Sequence, residues 1–388
     1  MFGSYTPNGA LGDDLAMVKL RSKNMSMLVP AHIRTLKPYI AGKTIEEVVR
    51  EYNPPRISKL ASNENRLGCS PDAKEAVIRS MDQIMNYPDP ASKVLRERLA
   101  RQFGIKTENV ITGSGSEGVM ALITRTFFLD TEEALTADAT FIGFVVLANS
   151  RGVKLRRVPL TEDYRFDLDA IAAAIRPETK VIYLANPNNP TGTYFTRDQF
   201  EAFHKKVPDH VLVIMDEAYF EYARDVEDYP DSMKYRFDNV ITLRTFSKAY
   251  GLAGLRIGYG FAHEEIISNL MKVKLPFEPS TPAQAAALAA LDDSGFLERS
   301  VKMVHSGRQR LYDFLSARNV HYVESVSNSV MTVFENEKKA EWFTDAMLRK
   351  GVILRRLPAF GLPNCVRITI GTPDEMEHFE SAFDELGL

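Results

Sequence analysis

Short apolar runs alternate with stretches of helical periodicity along most of this chain from about residue 90 onward. Each run is rich in β-branched residues, too short for a helix, and bounded by Gly, Pro, Asp or Asn, which is typical of buried strands. The runs lie at 110–112, 134–136, 153–160, 181–184, 211–215 and 240–243. Between them, residues 196–206 open with the capping-box pattern Thr-Arg-Asp-Gln, and residues 167–175 are good helix formers. This alternation predicts an α/β fold with a mostly parallel central sheet between helices.

Three prolines between residues 275 and 282 interrupt this rhythm and indicate a domain boundary. The tracts that follow are helical at 283–291, 296–318, 338–349 and 373–386, and strand-like at 330–334, 352–354 and 366–370. We therefore predict an N-terminal arm at 1–40, a large domain at 41–277 and a small α+β C-terminal domain at 278–388. The first part of the arm is rich in Gly, Ser and Asn, and we expect it to be loose.

Composition and charge exclude several classes of function. The chain has 388 residues, 45% of them hydrophobic, which suits one large and one smaller domain around a cleft. Its formal net charge of -3 offers no basic stripe for nucleic acid, and it has no run of about 18 apolar residues to span a bilayer. The two cysteines form no CxxC pair, and the seven histidines have no metal-ligand spacing. We expect a cytoplasmic protein with no metal, nucleic-acid or membrane partner.

The most informative residue is Lys248, which follows the apolar run at 240–243 in the sequence Arg-Thr-Phe-Ser-Lys-Ala-Tyr-Gly. A lysine amine can form a Schiff base with an aldehyde cofactor. The hydroxyls of Thr245 and Ser247 and the guanidinium of Arg256 stand close by in sequence, and these donors suit a phosphate group. An aldehyde that carries a phosphate suggests pyridoxal phosphate.

Two loops that follow strand-like runs could contribute to the same site, because ligands bind at the carboxyl ends of strands in open parallel sheets. The run Gly-Ser-Gly-Ser-Glu-Gly at 113–118 opens a helix, whose first amide groups suit a phosphate, although such a loop is commonly a plain strand-to-helix turn. The run Ala-Asn-Pro-Asn-Asn-Pro-Thr-Gly at 185–192 is stiff enough to hold the Asn189 amide in one place. An Asx turn without a ligand is the alternative interpretation of this second loop.

Three further residues at predicted strand ends carry candidate chemistry. Asp216 directly follows the run at 211–215, where a carboxylate would suit a protonated pyridine nitrogen or would serve as a helix cap, with Tyr219 three residues on. Phe141 could stack on a flat cofactor or belong to the core. Arg367 is a charge inside an apolar strand, which predicts either a bidentate grip on a substrate anion or a buried ion pair.

Together these motifs resemble the fold-type I pyridoxal phosphate aminotransferases, class I/II, and within them the histidinol-phosphate aminotransferase group. The resemblance extends from about residue 30 to the C-terminus. Its other anchors are Leu-Lys-Pro-Tyr at 36–39, Ser-Asn-Glu-Asn at 62–65, Asn-Tyr-Pro at 86–88, Gly-Leu-Arg at 254–256 and Arg-Ile-Thr at 367–369. The resemblance implies a PLP-dependent transferase-like fold, with a central sheet sandwiched by helices, and the cofactor pyridoxal 5'-phosphate.

The resemblance also implies a role for each matching residue. Lys248 would bond to the cofactor aldehyde and carry a proton, Asp216 would pair with the pyridine nitrogen, and Tyr219 would hydrogen-bond the phenolic oxygen together with Asn189. Phe141 would stack on the ring. The cofactor phosphate would lie among Ser116, Glu117, Thr245, Ser247 and Arg256, joined by Tyr87 from the other subunit of a homodimer with shared active sites.

The implied reaction moves an amino group from histidinol phosphate to 2-oxoglutarate, one substrate after the other, in histidine biosynthesis. Both small molecules carry an anionic group, which one pocket has to accept in turn. Arg367 and Arg355 would grip this anion, with Tyr39 and Asn65 as further substrate-binding residues.

Three positions and the segment Phe-Glu-Pro-Ser at 277–280 depart from the family pattern, and they put the amino donor rather than the chemistry in doubt. Arg66 and Cys69 stand where proline is usual, and Arg356 follows Arg355 where proline is frequent. The alternatives that stay open are an aromatic amino acid aminotransferase, a decarboxylase of phosphorylated amino acids that uses the same cofactor, and a regulatory protein that binds the cofactor without turnover.

Overall fold

Helices and strands alternate along the chain in the computed structural model, which describes residues 28–36, 38 and 42–387. The helices are α1 (Ala31–Arg34), α2 (Ile45–Tyr52), α3 (Pro71–Ser80), α4 (Lys93–Phe103), α5 (Gly115–Phe127), α6 (Ile142–Arg151), α7 (Leu168–Ala173), α8 (Arg197–His204), α9 (Phe220–Ala223), α10 (Ser232–Tyr235), α11 (Glu264–Val273), α12 (Thr281–Asp292), α13 (Ser294–Ser316), α14 (Glu337–Arg349) and α15 (Pro373–Asp384). The strands are β1 (Ser58–Lys59), β2 (Val110–Gly113), β3 (Glu133–Ala137), β4 (Lys154–Val158), β5 (Thr179–Ala185), β6 (Leu212–Asp216), β7 (Val240–Thr245), β8 (Gly258–Phe261), β9 (Tyr322–Val323), β10 (Ser329–Val333), β11 (Val352–Ile353), β12 (Arg355–Leu357) and β13 (Leu362–Thr369).

A seven-stranded sheet in the order β2-β8-β7-β6-β5-β3-β4 forms the centre of the molecule. Its strands are parallel except β8, which is antiparallel to both of its neighbours. Each predicted strand-like run before residue 250 forms one of these strands, and the predicted α/β fold class is confirmed. Strand β8 is not among the predicted strands, because Gly-Tyr-Gly-Phe is short and half glycine, which weakens a strand pattern.

Helices cover both faces of this sheet, which explains why the central strands are apolar on both sides. Buried residues of α5, α6 and α11 pack on one face, and those of α7 and α8 pack on the other. The predicted capping box is present at the start of α8, where the Thr196 side chain accepts from the amide of Gln199 and the Gln199 side chain accepts from the amide of Thr196. In the described part of the chain, no helix is both long enough and apolar enough to cross a membrane.

The C-terminal part of the chain forms a second core around an antiparallel sheet in the order β12-β13-β10-β9. Apolar residues of α13, α14 and α15 pack against this sheet. The predicted strand-like runs at 330–334, 352–354 and 366–370 are found as β10, β11 and β13. Strands β9 and β12 have two and three residues, which is too few to show the alternation of apolar and polar residues that predicts a strand.

Two segments pack across the predicted domain boundaries. Strand β1 pairs in parallel with β11, and Val48 of α2 packs with Ile353, so the segment from α2 to β1 lies against the C-terminal core. Conversely, α12 lies against α3 and contributes alanines to a core of the large domain. The division into 1–40, 41–277 and 278–388 stays a prediction. Each of the two larger predicted domains contributes a segment to the core of the other.

Candidate active site

One cavity of about 200 Å³ lies at the carboxyl ends of β5, β6 and β7, beside the start of α5. Every predicted cofactor residue except Tyr87 lines it. The lining residues are Gly115, Ser116, Glu117, Phe141, Ala185, Pro187, Asn189, Asp216, Ala218, Tyr219, Thr245, Ser247, Lys248 and Arg256. The fold thus brings residues from 115 to 256 in the sequence to one place, because parallel strands end at the same edge of the sheet.

Asp216 is the last residue of β6 and is buried in this cavity. Its Oδ2 accepts a hydrogen bond of 2.6 Å from the Tyr183 hydroxyl, whereas its Oδ1 is buried without a hydrogen-bond partner among the described residues. Burial raises the pKa of Asp216 to about 6, and the bond from Tyr183 opposes that rise. A buried carboxylate oxygen that lacks a partner fits a protonated pyridine nitrogen, so the site passes this test for the expected cofactor.

The opposite end of the cavity gathers donors that suit a phosphate group. Helix α5 begins at Gly115 without a side-chain cap, so its first amide groups keep their capacity to donate. The Thr245 hydroxyl lies 3.0 Å from the Ser247 hydroxyl and holds it beside the turn that follows β7. The Arg256 guanidinium stands 3.7 Å from the Glu117 carboxylate at the same end.

Glycine is required where strand β8 and helix α5 meet behind this phosphate end. A Cβ atom on Gly258 would lie 2.3 Å from the Ser116 backbone nitrogen. Gly115 has a φ of 79° and a Cβ there would approach Arg256 Nη2 within 2.9 Å. A side chain at position 258 would displace the first amide groups of α5, and a side chain at position 115 would displace Arg256. The arrangement of these phosphate-binding donors therefore depends on both glycines.

Lys248 lies in the turn that follows β7, and its Nζ stands 5.5 Å from the centre of the Tyr219 ring. The turn closes at Gly251, whose φ is 71° and whose added Cβ would lie 1.8 Å from the Gly68 carbonyl oxygen. The Asn65 amide donates to the Ala249 carbonyl at 2.9 Å and to a hydroxyl of α13 at 2.7 Å. Asn65 therefore supports the lysine turn and does not line the cavity, while its predicted contact with substrate stays a prediction.

Tyr219 is held from behind by Asn63, a residue that the sequence analysis did not single out. Asn63 Nδ2 donates to the Tyr219 hydroxyl oxygen at 2.9 Å and to Ser329 Oγ at 3.1 Å. Its Oδ1 accepts from the Thr369 hydroxyl at 3.0 Å, which fixes the orientation of the amide. Because Tyr219 accepts from Asn63, its own proton remains to be donated to an oxygen in the cavity.

Asn189 connects the cavity to the C-terminal core. Arg367 Nη1 donates to Asn189 Oδ1, and Arg367 Nη2 donates to the Ala61 carbonyl at 2.7 Å. The bond to Oδ1 determines that the NH2 group is the end of the amide that can donate to a phenolic oxygen. Arg367 is thus a buried arginine at the edge of the cavity, and these two hydrogen bonds help to hold its guanidinium group.

Arg355 stands directly opposite Arg367 in the antiparallel pair β12 and β13. Side chains of residues paired in this way lie on the same face of the sheet, and like charges in that arrangement repel each other. The face is the one that meets the cavity, because Arg367 contacts Asn189 there. The binding of a substrate anion by these two arginines stays a prediction.

The positions that depart from the family pattern lie away from this arginine pair or are engaged elsewhere. Arg66 forms an ion pair of 2.7 Å with Glu375 at the start of α15. Arg356 alternates to the other face of β12, where it binds Glu337 and Glu341 of α14. These two arginines therefore form ion pairs between segments of the chain.

Phe141 is the residue just before α6 and turns its ring across the start of that helix. A Cβ atom on Gly143 would lie 2.4 Å from the ring, so the ring can rest there only because residue 143 is glycine. This position places an aromatic face in the wall of the cavity, as stacking on a flat cofactor requires.

Of the predicted site residues that the structure describes, Tyr87, Asn65, Arg355 and Arg367 do not line the cavity. Tyr87 is 79% exposed and stacks on Phe277 with 4.2 Å between ring centres. Tyr39 lies outside the described residues. The roles assigned to Tyr87 and Tyr39 stay predictions.

Tyr183 and Asn63 support the site, but neither is recognisable as a functional residue from its own sequence position. Tyr183 lies inside an apolar strand, where it reads as a core residue, and only the pairing of β5 with β6 brings its hydroxyl to Asp216. Asn63 lies in the quoted anchor at 62–65, and its φ of 55° marks a special backbone position that Asn tolerates better than most residues. No group of three potential metal ligands occurs within the described part of the chain.

Comparison with known proteins agrees with the geometry of this site. The family described as "Aminotransferase class I and II" matches residues 55–383. Histidinol-phosphate aminotransferases of Bacillus velezensis and Bacillus subtilis are each 41% identical to this chain over 362 residues, which cover 93% of this chain and 100% of the relative. The crystal structure of histidinol-phosphate aminotransferase from Sinorhizobium meliloti in complex with pyridoxal-5'-phosphate superposes with a TM-score of 0.84 at 28% identity, covering 92% of this chain and 97% of that one.

Proposed function

Because this chain belongs to the aminotransferase class I and II family, we propose that it transfers an amino group between histidinol phosphate and 2-oxoglutarate, with pyridoxal 5'-phosphate as cofactor. The relatives that are 41% identical are named histidinol-phosphate aminotransferases. The observation on this chain that carries the proposal is the pair Arg355 and Arg367 on one face of the small sheet. This face adjoins a cavity that contains a lysine and a carboxylate oxygen with no hydrogen-bond partner among the described residues.

The cofactor, when bound, supplies a protonated aromatic ring that withdraws electrons from the reacting carbon of the substrate. Asp216 would hold the ring nitrogen through its buried Oδ1. Tyr219 and the Asn189 amide would donate to the phenolic oxygen, and Phe141 would cover one face of the ring. The residues that would hold the phosphate are Ser116, Glu117 through its backbone amide, Thr245, Ser247 and Arg256, together with Tyr87 of the second subunit.

Lys248 is the residue that moves the proton. Its amine stands 5.5 Å from the Tyr219 ring, inside the same cavity as Asp216. As a free amine it can take a proton from the substrate carbon and return it to the cofactor, acting as a base and then as an acid. The tight turn at Gly251 keeps the lysine backbone in place through both proton transfers.

The two arginines would bind the anionic group that each substrate carries. Histidinol phosphate presents a phosphate, whereas 2-oxoglutarate presents a carboxylate, and a guanidinium accepts both through paired hydrogen bonds. An anion that reaches both Arg355 and Arg367 would be held by hydrogen bonds from two guanidinium groups. One site can therefore serve two chemically unlike substrates in turn.

Steady-state kinetics of the purified enzyme test this proposal. We expect a higher kcat/KM with histidinol phosphate than with phenylalanine or tyrosine, each with 2-oxoglutarate as acceptor. A preference for the aromatic amino acids would favour an aromatic aminotransferase instead. Release of carbon dioxide would indicate a decarboxylase, and binding of the cofactor without turnover of any amine would indicate a regulatory protein.

Adjacent residues on β12 provide a matched pair of variants for the anion site. Arg355→Ala removes a guanidinium from the face of the sheet that also carries Arg367, and we expect a loss of about tenfold to hundredfold in kcat/KM for histidinol phosphate, from charged hydrogen bonds of about 1.5–3 kcal/mol. Arg356→Ala removes the same group from the other face, where it binds α14. The control should change kcat/KM by less than about threefold.

We also propose that two chains form a homodimer with shared active sites. Several large apolar side chains are exposed in one region of the surface, and the contact of Tyr87 with Phe277 joins its two segments. Exposed members of these segments are Ile84, Met85, Tyr87, Val94, Leu275 and Phe277. Such a patch marks an interaction surface, and Tyr87 within it is the residue expected to reach the cofactor phosphate of the partner.

Light scattering and subunit mixing test the dimer. The mass should be twice the 43.7 kDa of one chain. Subunits carrying Lys248→Ala and subunits carrying Tyr87→Ala should form mixed dimers that have one site with both residues intact, so the mixture should bind cofactor more tightly than Tyr87→Ala alone. A monomeric mass, or no gain on mixing, would contradict shared sites. A cytoplasmic location also remains a proposal, supported by the two free cysteines.

A further inference from the structure

We propose that Tyr183 is a positioning residue for Asp216, which keeps the carboxylate ionised and aims one of its oxygens at the cofactor. This inference rests on the proposed cofactor. Tyr183 would act on the reaction through Asp216, because Tyr183 itself does not line the cavity and its ring belongs to the apolar core.

The pairing of β5 with β6 places the two side chains together. Ala185 stands opposite Asp216, and Tyr183 stands opposite Ile214, so the side chains of Tyr183 and Asp216 share one face of the sheet as diagonal neighbours. The Tyr183 ring stacks on Phe144 of α6 with 4.4 Å between ring centres and 7° between planes. The stacked ring has little freedom, and its hydroxyl is therefore held at the Oδ2 atom of Asp216.

This contact determines which carboxylate oxygen is left for the ligand. The Tyr183 hydroxyl donates to Oδ2 at 2.6 Å, and Oδ1 is the atom that has no partner among the described residues. A carboxylate with one oxygen anchored cannot rotate to present the other, so the geometry for a single hydrogen bond to a ring nitrogen exists before the ligand arrives. Preorganisation of this kind lowers the cost of binding.

The surroundings explain why a donor is needed at this position. Asp216 is buried beside an apolar cluster, and burial favours the neutral acid over the carboxylate. Burial also raises the pKa of Tyr183 well above its ordinary value, so the tyrosine stays neutral and keeps the proton that it donates. The other titratable groups that act on the pair are Lys248, which favours the carboxylate, and Glu217, Glu117 and Tyr219, which oppose ionisation of the pair.

The variant Tyr183→Phe removes only the hydroxyl and keeps the ring that stacks on Phe144. The measurement is the dissociation constant of pyridoxal 5'-phosphate from the full-length enzyme between pH 5.5 and 8.5, followed by the near-ultraviolet absorbance of the bound cofactor. We expect the pH below which binding weakens to rise by about one unit, so that the affinity falls about tenfold at the acid end of this range and only about twofold at pH 7, which corresponds to the loss of a hydrogen bond to a charged group.

Two controls separate positioning from a loss of packing. Tyr259→Phe removes a hydroxyl from another buried tyrosine of the same sheet, whose ring packs on Phe246, and should leave the pH profile of binding unchanged. In an Asp216→Asn background there is no carboxylate to ionise, so adding Tyr183→Phe should not move the profile further.

The outcomes distinguish this inference from the proposed function. Wild-type enzyme that does not bind pyridoxal 5'-phosphate would overturn both. Wild-type enzyme that binds the cofactor, with a Tyr183→Phe profile that coincides with it, would overturn the inference and leave the proposed function standing. A shift of equal size in the Asp216→Asn background would show that the hydroxyl acts through packing, and would also overturn the inference.

Discussion

The buried acid Glu221 provides a test of how burial and charge are balanced beside the site. Glu221 lies in α9, two residues after Tyr219, and is only 3% exposed. Its Oε2 is buried without a hydrogen-bond partner among the described residues. Burial raises the pKa of Glu221 to about 7, while the Arg244 guanidinium favours its charged form and limits the rise. The variant Glu221→Gln keeps the size of the side chain and removes the charge.

The sign of the effect follows from the direction of the pKa change. The ordinary pKa of 4.5 applies to the unfolded chain, and the folded protein binds the proton until about pH 7. Between these values the folded state holds more protons than the unfolded state, so stability falls as the pH rises through this window. The difference between about 7 and 4.5 corresponds to about 3 kcal/mol. Glu221→Gln should therefore match the wild type near pH 4.5 and be more stable by about 3 kcal/mol at pH 8.

Urea unfolding at equal protein and cofactor concentrations measures this difference at several pH values. Glu162→Gln serves as a control, because Glu162 is an exposed residue in the turn after β4, and its replacement should change stability by less than about 0.5 kcal/mol at every pH. The reasoning would be refuted by a difference between Glu221→Gln and wild type that stays constant with pH, or by a variant that is less stable than wild type at pH 8.

Three other substitutions test the supports of the site. Asn63→Ala removes the donor to the Tyr219 hydroxyl, and kcat should fall about tenfold while the fold, measured by circular dichroism, is retained. Gly251→Ala would place a Cβ against the Gly68 carbonyl at a positive φ, and the absorbance of bound cofactor should show weaker binding, whereas Gly254→Ala, which meets open space, should bind normally. Arg244→Met leaves a buried carboxylate without its cation, and the free energy of unfolding should fall by about 3–5 kcal/mol in urea titrations.

The sequence predicts the chemistry at the strand ends because those residues are local exceptions to an apolar pattern. Asp216 directly follows an apolar run and Lys248 follows another after four residues, and a charge in such a position has few structural explanations. The parallel topology then brings them together without any knowledge of distances. Because the parallel strands end at one edge of the sheet, the predicted cofactor residues other than Tyr87 line one cavity.

The residues behind the site could not be predicted in the same way. Tyr183 is an aromatic residue in an apolar strand, and its function depends on the register between two strands that are separated by a helix in sequence. Asn63 acts through Thr369, which is 306 positions away, and no local pattern reports such a contact. Glycine-rich β8 shows the same limit for the fold, since its pairing partners rather than its own residues make it a strand.

The pairing of β1 with β11 also affects the order in which the protein can be completed during synthesis. A ribosome releases the N-terminal segment first, yet this segment has its partner strand near the end of the chain. Asn63, which donates to Tyr219, likewise can form its hydrogen bonds with Thr369 only after residue 369 has been synthesised. The large sheet can fold while translation continues, but the wall of the site behind Tyr219 closes only when β13 has emerged. Chains that end before β13 would therefore contain every residue that lines the cavity but would lack the contact between Thr369 and Asn63 that supports Tyr219.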